Sequence, residues 1–83
     1  MADPSAPKRA DQTLDCIGLY CPMPVIRTNE EMNKLAVGEV LEVLADDSAA
    51  EWDLKAWAKR TGQKMLEIGK TNEGMRFLIQ KEK

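Results

Sequence analysis

Residues 14–24 read LDCIGLYCPMP. The apolar beginning of this stretch predicts a short strand, which ends in a turn around Gly18. Pro22 and Pro24 lack amide donors and have a fixed φ, so they suit the first turn of a helix, where the amides have no intrahelical partner. The stretch therefore predicts a strand-to-helix junction with Cys21 at its corner.

The helix that follows Pro24 is predicted to end at Gly38, because glycine readily adopts the turn conformations found at helix ends. Polar residues within it, Thr28 among them, are expected to face water. Its imperfect apolar stripe consists of Val25, Ile26, Met32, Leu35 and Ala36. Residues 39–45, EVLEVLA, then predict a central strand, because this run is apolar and partly β-branched.

A second helix is the most strongly marked element of the sequence. Ser48 and Glu51 match the capping box, in which each side chain bonds the other residue's backbone amide. Gly62 lies where a C-terminal cap is expected. The predicted buried face of this helix consists of Ala50, Leu54, Trp57, Ala58 and Thr61.

Residues 64–68 and 75–80 predict a β-hairpin joined by residues 69–74, with alternation clearest at Met75, Phe77 and Ile79. The resulting order is strand, helix, strand, helix, strand, strand. It predicts an α/β fold of the α+β kind, a two-layer sandwich with both helices on one face of a four-stranded mixed sheet.

Residues 1–11 mix prolines with charged and small residues, so we expect a flexible N-terminal tail. Residues 12–83 are expected to form a single domain, because 83 residues of 43% hydrophobic content supply one small core.

With 12 basic and 14 acidic residues the net charge is -2, and we expect no direct binding to nucleic acid. The sequence has no apolar run that could span a bilayer or serve as a secretory signal, so we expect a cytoplasmic protein without membrane contact. We also expect a monomer.

Cys21 is the candidate reactive residue. The free amides and the dipole at a helix start favour negative charge, so we expect the pKa of the Cys21 thiol to lie below its ordinary value. Pro22 and Pro24 are expected to hold the sulfur at an exposed corner. The alternative is that Cys21 is a small buried apolar residue, which is the commoner fate of a free cysteine.

Residues 14–24 resemble the L-D-x-x-G-L-x-C-P-x-P signature of the TusA/SirA-like sulfur carriers. The resemblance continues at Gly38-Glu39, Asp46-Asp47, Asp53-Leu54, Trp57, Gly62 and residues 77–81. It implies a fold like the C-terminal domain of translation initiation factor three. It also implies that Cys21 accepts sulfur as a persulfide from a cysteine desulfurase or a related donor. The acceptor is then a protein of transfer-RNA thiolation, molybdenum-cofactor assembly or sulfur oxidation. We expect Asp15, Gly18, Pro22 and Pro24 to support Cys21.

The sequence departs from the family pattern at Cys16, Ser48 and Gln63. Cys16 is interpreted as a resolving thiol for Cys21, a second sulfur-holding site or a packed side chain, and packing is favoured because cysteine is so often buried. Because the chain contains no histidine, it has neither a Cys-His pair nor a mixed Cys/His zinc site. We expect no metal and no cofactor.

Other polar and aromatic residues have two interpretations each. Asp46, Asp47 and Asp53 are better explained by strand termination and by favourable charge near a helix N-terminus than by cation binding. Trp52 falls off the apolar stripe and is either exposed to a docking protein or partly buried. A basic run is interpreted as a solvated face that could steer an acidic partner; it consists of Lys55, Lys59, Arg60 and Lys64.

The leading hypothesis is a sulfur-relay carrier rather than a stand-alone enzyme, with a protein donor and a protein acceptor. A second hypothesis is a small dithiol redox module that uses Cys16 and Cys21. A third is a non-catalytic regulatory or RNA-associated domain, which rests on fold analogy alone.

Overall fold

The computed structural model describes residues 10–83. The elements are β1 (Gln12–Cys16), α1 (Met23–Asn33), β2 (Val40–Ala45), α2 (Ala50–Thr61), β3 (Lys64–Lys70) and β4 (Met75–Gln80). Residues 1–9 of the predicted tail lie outside the described residues. Asp11, which the prediction includes in the tail, is bonded to Val40: its amide donates to the Val40 carbonyl and its carboxylate accepts from the Val40 amide, each at 2.8 Å.

The four strands form one mixed sheet in the order β1-β2-β4-β3. β1 and β2 are parallel, with Cys16 opposite Ala45, whereas β4 is antiparallel to both of its neighbours. The helices pack on one face of this sheet, and the predicted fold class is confirmed. None of the helices within residues 10–83 has the length and apolar character needed to cross a membrane.

The core lies between the helices and the central strand β2. Leu41 and Val43 are fully buried, and they pair across the sheet with Ile79 and Phe77 of β4. From α2 the largest contribution is Trp57, which is 2% exposed. Burying one Val, Leu, Ile or Phe side chain contributes about 1.5–3 kcal/mol, so the paired core residues of β2 and β4 make a large favourable contribution to folding.

The predicted course of α1 is partly wrong. The helix ends at Asn33 rather than at Gly38, because the amides of Lys34 and Leu35 bond to carbonyls three residues back, which tightens the last turn. The predicted orientation of Thr28 is also wrong: it is fully buried, and its hydroxyl has no partner among the described residues. The physical reason is that α1 buries a narrow stripe four residues apart, which passes through this position; the stripe consists of Pro24, Thr28 and Met32.

The predicted capping box at α2 does not form. The N-cap residue is Ala49, and no side chain of the cap bonds to the helix. Asp47 instead bonds the two residues at the helix start: its carboxylate accepts from the Ala49 amide at 3.2 Å and its carbonyl accepts from the Ala50 amide at 3.0 Å. The predicted end of the helix is confirmed, since Gly62 is the C-cap with a left-handed φ of 78°.

The hairpin of β3 and β4 has a shorter loop than predicted, because β3 continues to Lys70. At the C-terminal end of this loop, Gly74 lies against the segment that leaves β2. A Cβ added at Gly74 would lie 2.4 Å from the Ala45 carbonyl oxygen and 2.9 Å from Asp46 Cα. The absence of a side chain at Gly74 therefore lets the hairpin pack against the end of β2.

We expect Gly74→Ala to lower the free energy of unfolding by about 1–3 kcal/mol, because the new methyl group overlaps backbone atoms that do not rotate away. Urea denaturation followed by circular dichroism measures the loss. Gly69→Ala is the matched control, since a Cβ at Gly69 meets nothing within 4 Å. Equal stabilities of the two variants would contradict this packing argument.

Candidate functional site

Cys21 lies in the turn between β1 and α1. Gly18 has a φ of +86°, a left-handed conformation that favours glycine, and it reverses the chain directly after the strand. The Ile17 amide donates to the Asp15 carboxylate at 2.9 Å, and the Met23 amide donates to the Tyr20 carbonyl at 2.8 Å. These bonds fix the two ends of the turn that carries the sulfur.

The turn after β2 holds the cysteine turn in place. Asp46 Oδ1 accepts from the Gly18 amide at 2.9 Å, and Asp47 Oδ2 accepts from the Cys21 amide at 2.7 Å. The two turns meet because β1 and β2 are parallel neighbours, so the chain leaves both strands at the same edge of the sheet. From the sequence alone, the two aspartates are assigned only to strand termination and to favourable charge near a helix start. Their contacts with Gly18 and Cys21 were not predicted, because they depend on the parallel pairing of β1 and β2.

The sulfur of Cys21 is exposed and donates a hydrogen bond to Asp53 Oδ2 at 2.6 Å. This bond raises the pKa of the Cys21 thiol above its ordinary value, and desolvation and the negative charges of Asp53 and Asp47 raise it further. The predicted lowering of this pKa is therefore wrong. The reason is that the thiol contacts a carboxylate in the first turn of α2, which favours the protonated form.

The prolines flanking the site differ in burial. Pro24 is buried against the core, whereas Pro22 is exposed and is the N-cap of α1. The peptide bond between Cys21 and Pro22 is cis. A shallow depression opens beside the sulfur; its lining residues are Cys21, Pro22, Val25, Asp53, Ala56 and Arg60. Its volume of about 220 Å³ is below the range of pockets that enclose a cofactor-sized ligand.

Two exposed aromatic residues are the sequence neighbours of Cys21 and Asp53, which line this depression. Tyr20 is 77% exposed and Trp52 is 79% exposed, so the interpretation of Trp52 as partly buried is wrong. Trp52 lines a second groove with Lys55, Ala56 and Lys59, and Ala56 also borders the depression at Cys21. The sulfur therefore lies next to an exposed surface that is both apolar and basic, of the kind that another protein covers on docking.

Cys16 has a different environment from Cys21. It is fully buried in the core at the end of β1, and both cysteines are free thiols. Burial raises the pKa of the Cys16 thiol, and the charge of Arg27 only partly opposes this effect. A buried and protonated thiol reacts slowly, so the structure places Cys16 among the packed side chains. Within residues 10–83 no three His, Cys, Asp or Glu side chains are grouped as metal ligands.

Comparisons with known proteins place this chain in a family. The family model described as sulfurtransferase TusA matches residues 12–81. The chain belongs to the TusA family. One relative, YrkI of Bacillus subtilis, is 48% identical over 75 residues, which cover 88% of this chain and 97% of the relative. The sulfur carrier protein TusA of Allochromatium vinosum is 39% identical over 71 residues, 86% of this chain and 93% of that protein.

A solved structure agrees with the TusA family fold. The crystal structure of a SirA-like protein from Desulfitobacterium hafniense superposes with a TM-score of 0.71 at 28% identity, covering 83% of this chain and 93% of that one. The family resemblance inferred from residues 14–24 is thus confirmed. It supports a sulfur carrier role, which implies interaction with sulfur donors and acceptors.

The burial of the two cysteines predicts selective alkylation. Brief treatment of the folded protein with iodoacetamide is expected to modify Cys21 alone, whereas unfolding in urea exposes Cys16 as well. Peptide mass spectrometry of both samples distinguishes the sites. Modification of Cys16 at a comparable rate in the folded protein would show that its sulfur reaches solvent.

The bond between Asp47 and the Cys21 amide predicts a stability effect. Asp47→Ala is expected to lower the free energy of unfolding by about 1 kcal/mol, because the Cys21 and Ala49 amides lose their acceptor. Asp47→Asn retains one acceptor oxygen and should lose less. Glu73→Ala, in the exposed hairpin loop, is the control in the same urea titration. A loss no greater than that of the control would contradict the role of Asp47.

Proposed function

We propose that the chain carries sulfane sulfur as a persulfide on Cys21. The observation that supports this most directly is the exposed Cys21 sulfur, which borders a shallow depression. Cys21 donates from its amide to Asp47 and from its thiol to Asp53. An exposed sulfur on a fixed turn is reachable by a second protein without unfolding of the carrier. The cost of ordering the turn on docking is correspondingly small.

Loading is a sulfur transfer between two cysteines. The Cys21 sulfur attacks the outer sulfur of a persulfide on a cysteine desulfurase or a related donor. A new S–S bond forms to Cys21, the S–S bond of the donor breaks, and the donor cysteine leaves as a thiol after taking up the proton that Cys21 gives up. In the second half, an acceptor thiol attacks the outer sulfur held on Cys21, and the Cys21 thiol is regenerated.

The acceptor is proposed to be a protein of transfer-RNA thiolation, molybdenum-cofactor assembly or sulfur oxidation. The surroundings of the sulfur support delivery to a protein rather than chemistry on an enclosed small molecule. The depression of about 220 Å³ is shallow, and the exposed Tyr20 and Trp52 offer apolar area to a docking protein. A relay component fits this surface better than a stand-alone enzyme does.

The dithiol alternative is less well supported. A disulfide between Cys16 and Cys21 needs both sulfurs in contact, yet Cys16 packs in the core while Cys21 faces water. Forming the bond would remove the Cys16 side chain from the core and leave a cavity at the end of β1. The carrier function requires no such rearrangement.

Incubation with a cysteine desulfurase and cysteine is expected to add the mass of one sulfur atom to the intact protein, and a reductant should remove it. Intact mass spectrometry measures the gain. Cys21→Ala should abolish it, while Cys16→Ala, the matched control at the other cysteine, should retain it. Sulfur uptake by Cys21→Ala would contradict the assignment. A loss of two hydrogens under oxidising conditions in place of sulfur uptake would favour the dithiol module.

A further inference from the structure

Asp53 is the only side chain among the described residues that is hydrogen-bonded to the reactive sulfur. Its Oδ2 accepts from the Cys21 thiol at 2.6 Å. The Asp47 carboxylate accepts a hydrogen bond from the backbone amide of the same cysteine, Cys21, at 2.7 Å. The resting sulfur is therefore in contact with one carboxylate and close to a second, and both oppose the formation of a thiolate.

The negative charge of Asp53 is available to a partner. The only cation that lines the depression with it is Arg60, and the ion pairs formed within residues 10–83 do not join these two residues. A cationic group that enters the depression beside Cys21 would meet a carboxylate that forms no ion pair within residues 10–83, although Arg60 lines the same depression. Pairing of this carboxylate with the cation weakens its hold on the thiol proton, because the positive charge offsets the negative charge that opposes the thiolate.

We propose that Asp53 makes the carrier selective for sulfur donors that bear positive charge beside their persulfide. This inference rests on the proposed loading of Cys21. In the free protein, Asp53 keeps the proton on Cys21 and limits its reaction with other electrophiles. When the donor cation pairs with Asp53, the Cys21 proton leaves, the sulfur attacks the outer sulfur of the donor, and the proton ends on the donor thiol as the donor S–S bond breaks.

The first test measures the free protein. The charged groups that face the Cys21 sulfur or line its depression are Asp53 and Arg60 from α2 and Asp47 from the turn after β2. We expect Asp53→Asn to lower the pH midpoint of Cys21 alkylation by iodoacetamide, and Asp53→Glu to stay near the wild type. At neutral pH the rate should rise about threefold for each unit by which the midpoint falls, since a more acidic thiolate is also a weaker nucleophile.

Glu51→Gln is the matched control, because it removes one negative charge from the same turn of α2, where Glu51 pairs with Lys55 rather than with Cys21. This variant should leave the alkylation midpoint unchanged. A midpoint for Asp53→Asn equal to or above that of the wild type would overturn the proposed hold on the proton.

The second test measures donor selectivity with two small persulfides of similar size, those of cysteamine and of 3-mercaptopropionate, at low ionic strength. The ratio of their loading rates onto Cys21, cationic over anionic, is expected to be about two- to fivefold larger in the wild type than in Asp53→Asn. Added salt should reduce this difference. Glu51→Gln should keep the wild-type ratio.

The outcomes distinguish failure of the proposed donor selectivity from failure of the proposed carrier function. Equal ratios in the wild type and Asp53→Asn, with sulfur still loaded on Cys21, would overturn the selectivity and leave the carrier function intact. Loading of the wild type by neither persulfide nor by a cysteine desulfurase would overturn both. A lowered alkylation midpoint together with a reduced ratio in Asp53→Asn supports the proposal.

Discussion

The parallel pairing of β1 with β2 is the constraint on which the site depends. Because Cys16 lies opposite Ala45, the chain leaves both strands at one edge, and the turns that follow are neighbours. Two aspartates of the second turn then accept from amides of the first. The position of the reactive sulfur is thus set by a strand register, and only secondarily by the prolines that begin α1.

The carboxylates around Cys21 raise the pKa of its thiol, whereas an isolated helix start would lower it. A thiol that faces only the free amides of α1 would ionise more readily, but Asp53 in the first turn of α2 lies in direct contact with the sulfur. A hydrogen bond to a carboxylate acts at shorter range than a helix dipole. In the free protein these contacts therefore favour the protonated form of the Cys21 thiol and raise its pKa.

Most of the fold could be predicted from patterns within single elements. The order of elements, the core positions of α2 and the cap at Gly62 follow from local periodicity and glycine conformation. Features that depend on contacts between elements were missed. The burial of Thr28 depends on where α1 crosses the sheet, and the bond from Cys21 to Asp53 joins residues 32 positions apart. The exposed position of Cys21 was predicted from the sequence, whereas the direction of its pKa shift required the tertiary structure.

The two tryptophans give the molecule two separate optical reporters. Trp57 is almost fully buried and Trp52 is largely exposed, yet both belong to α2. Emission from the buried indole changes when the core opens, while emission from the exposed one changes when a partner shields it, and a polar quencher in solution reaches only the latter. Binding of a partner that covers Trp52 can therefore be followed by intrinsic fluorescence, without a label near the sulfur.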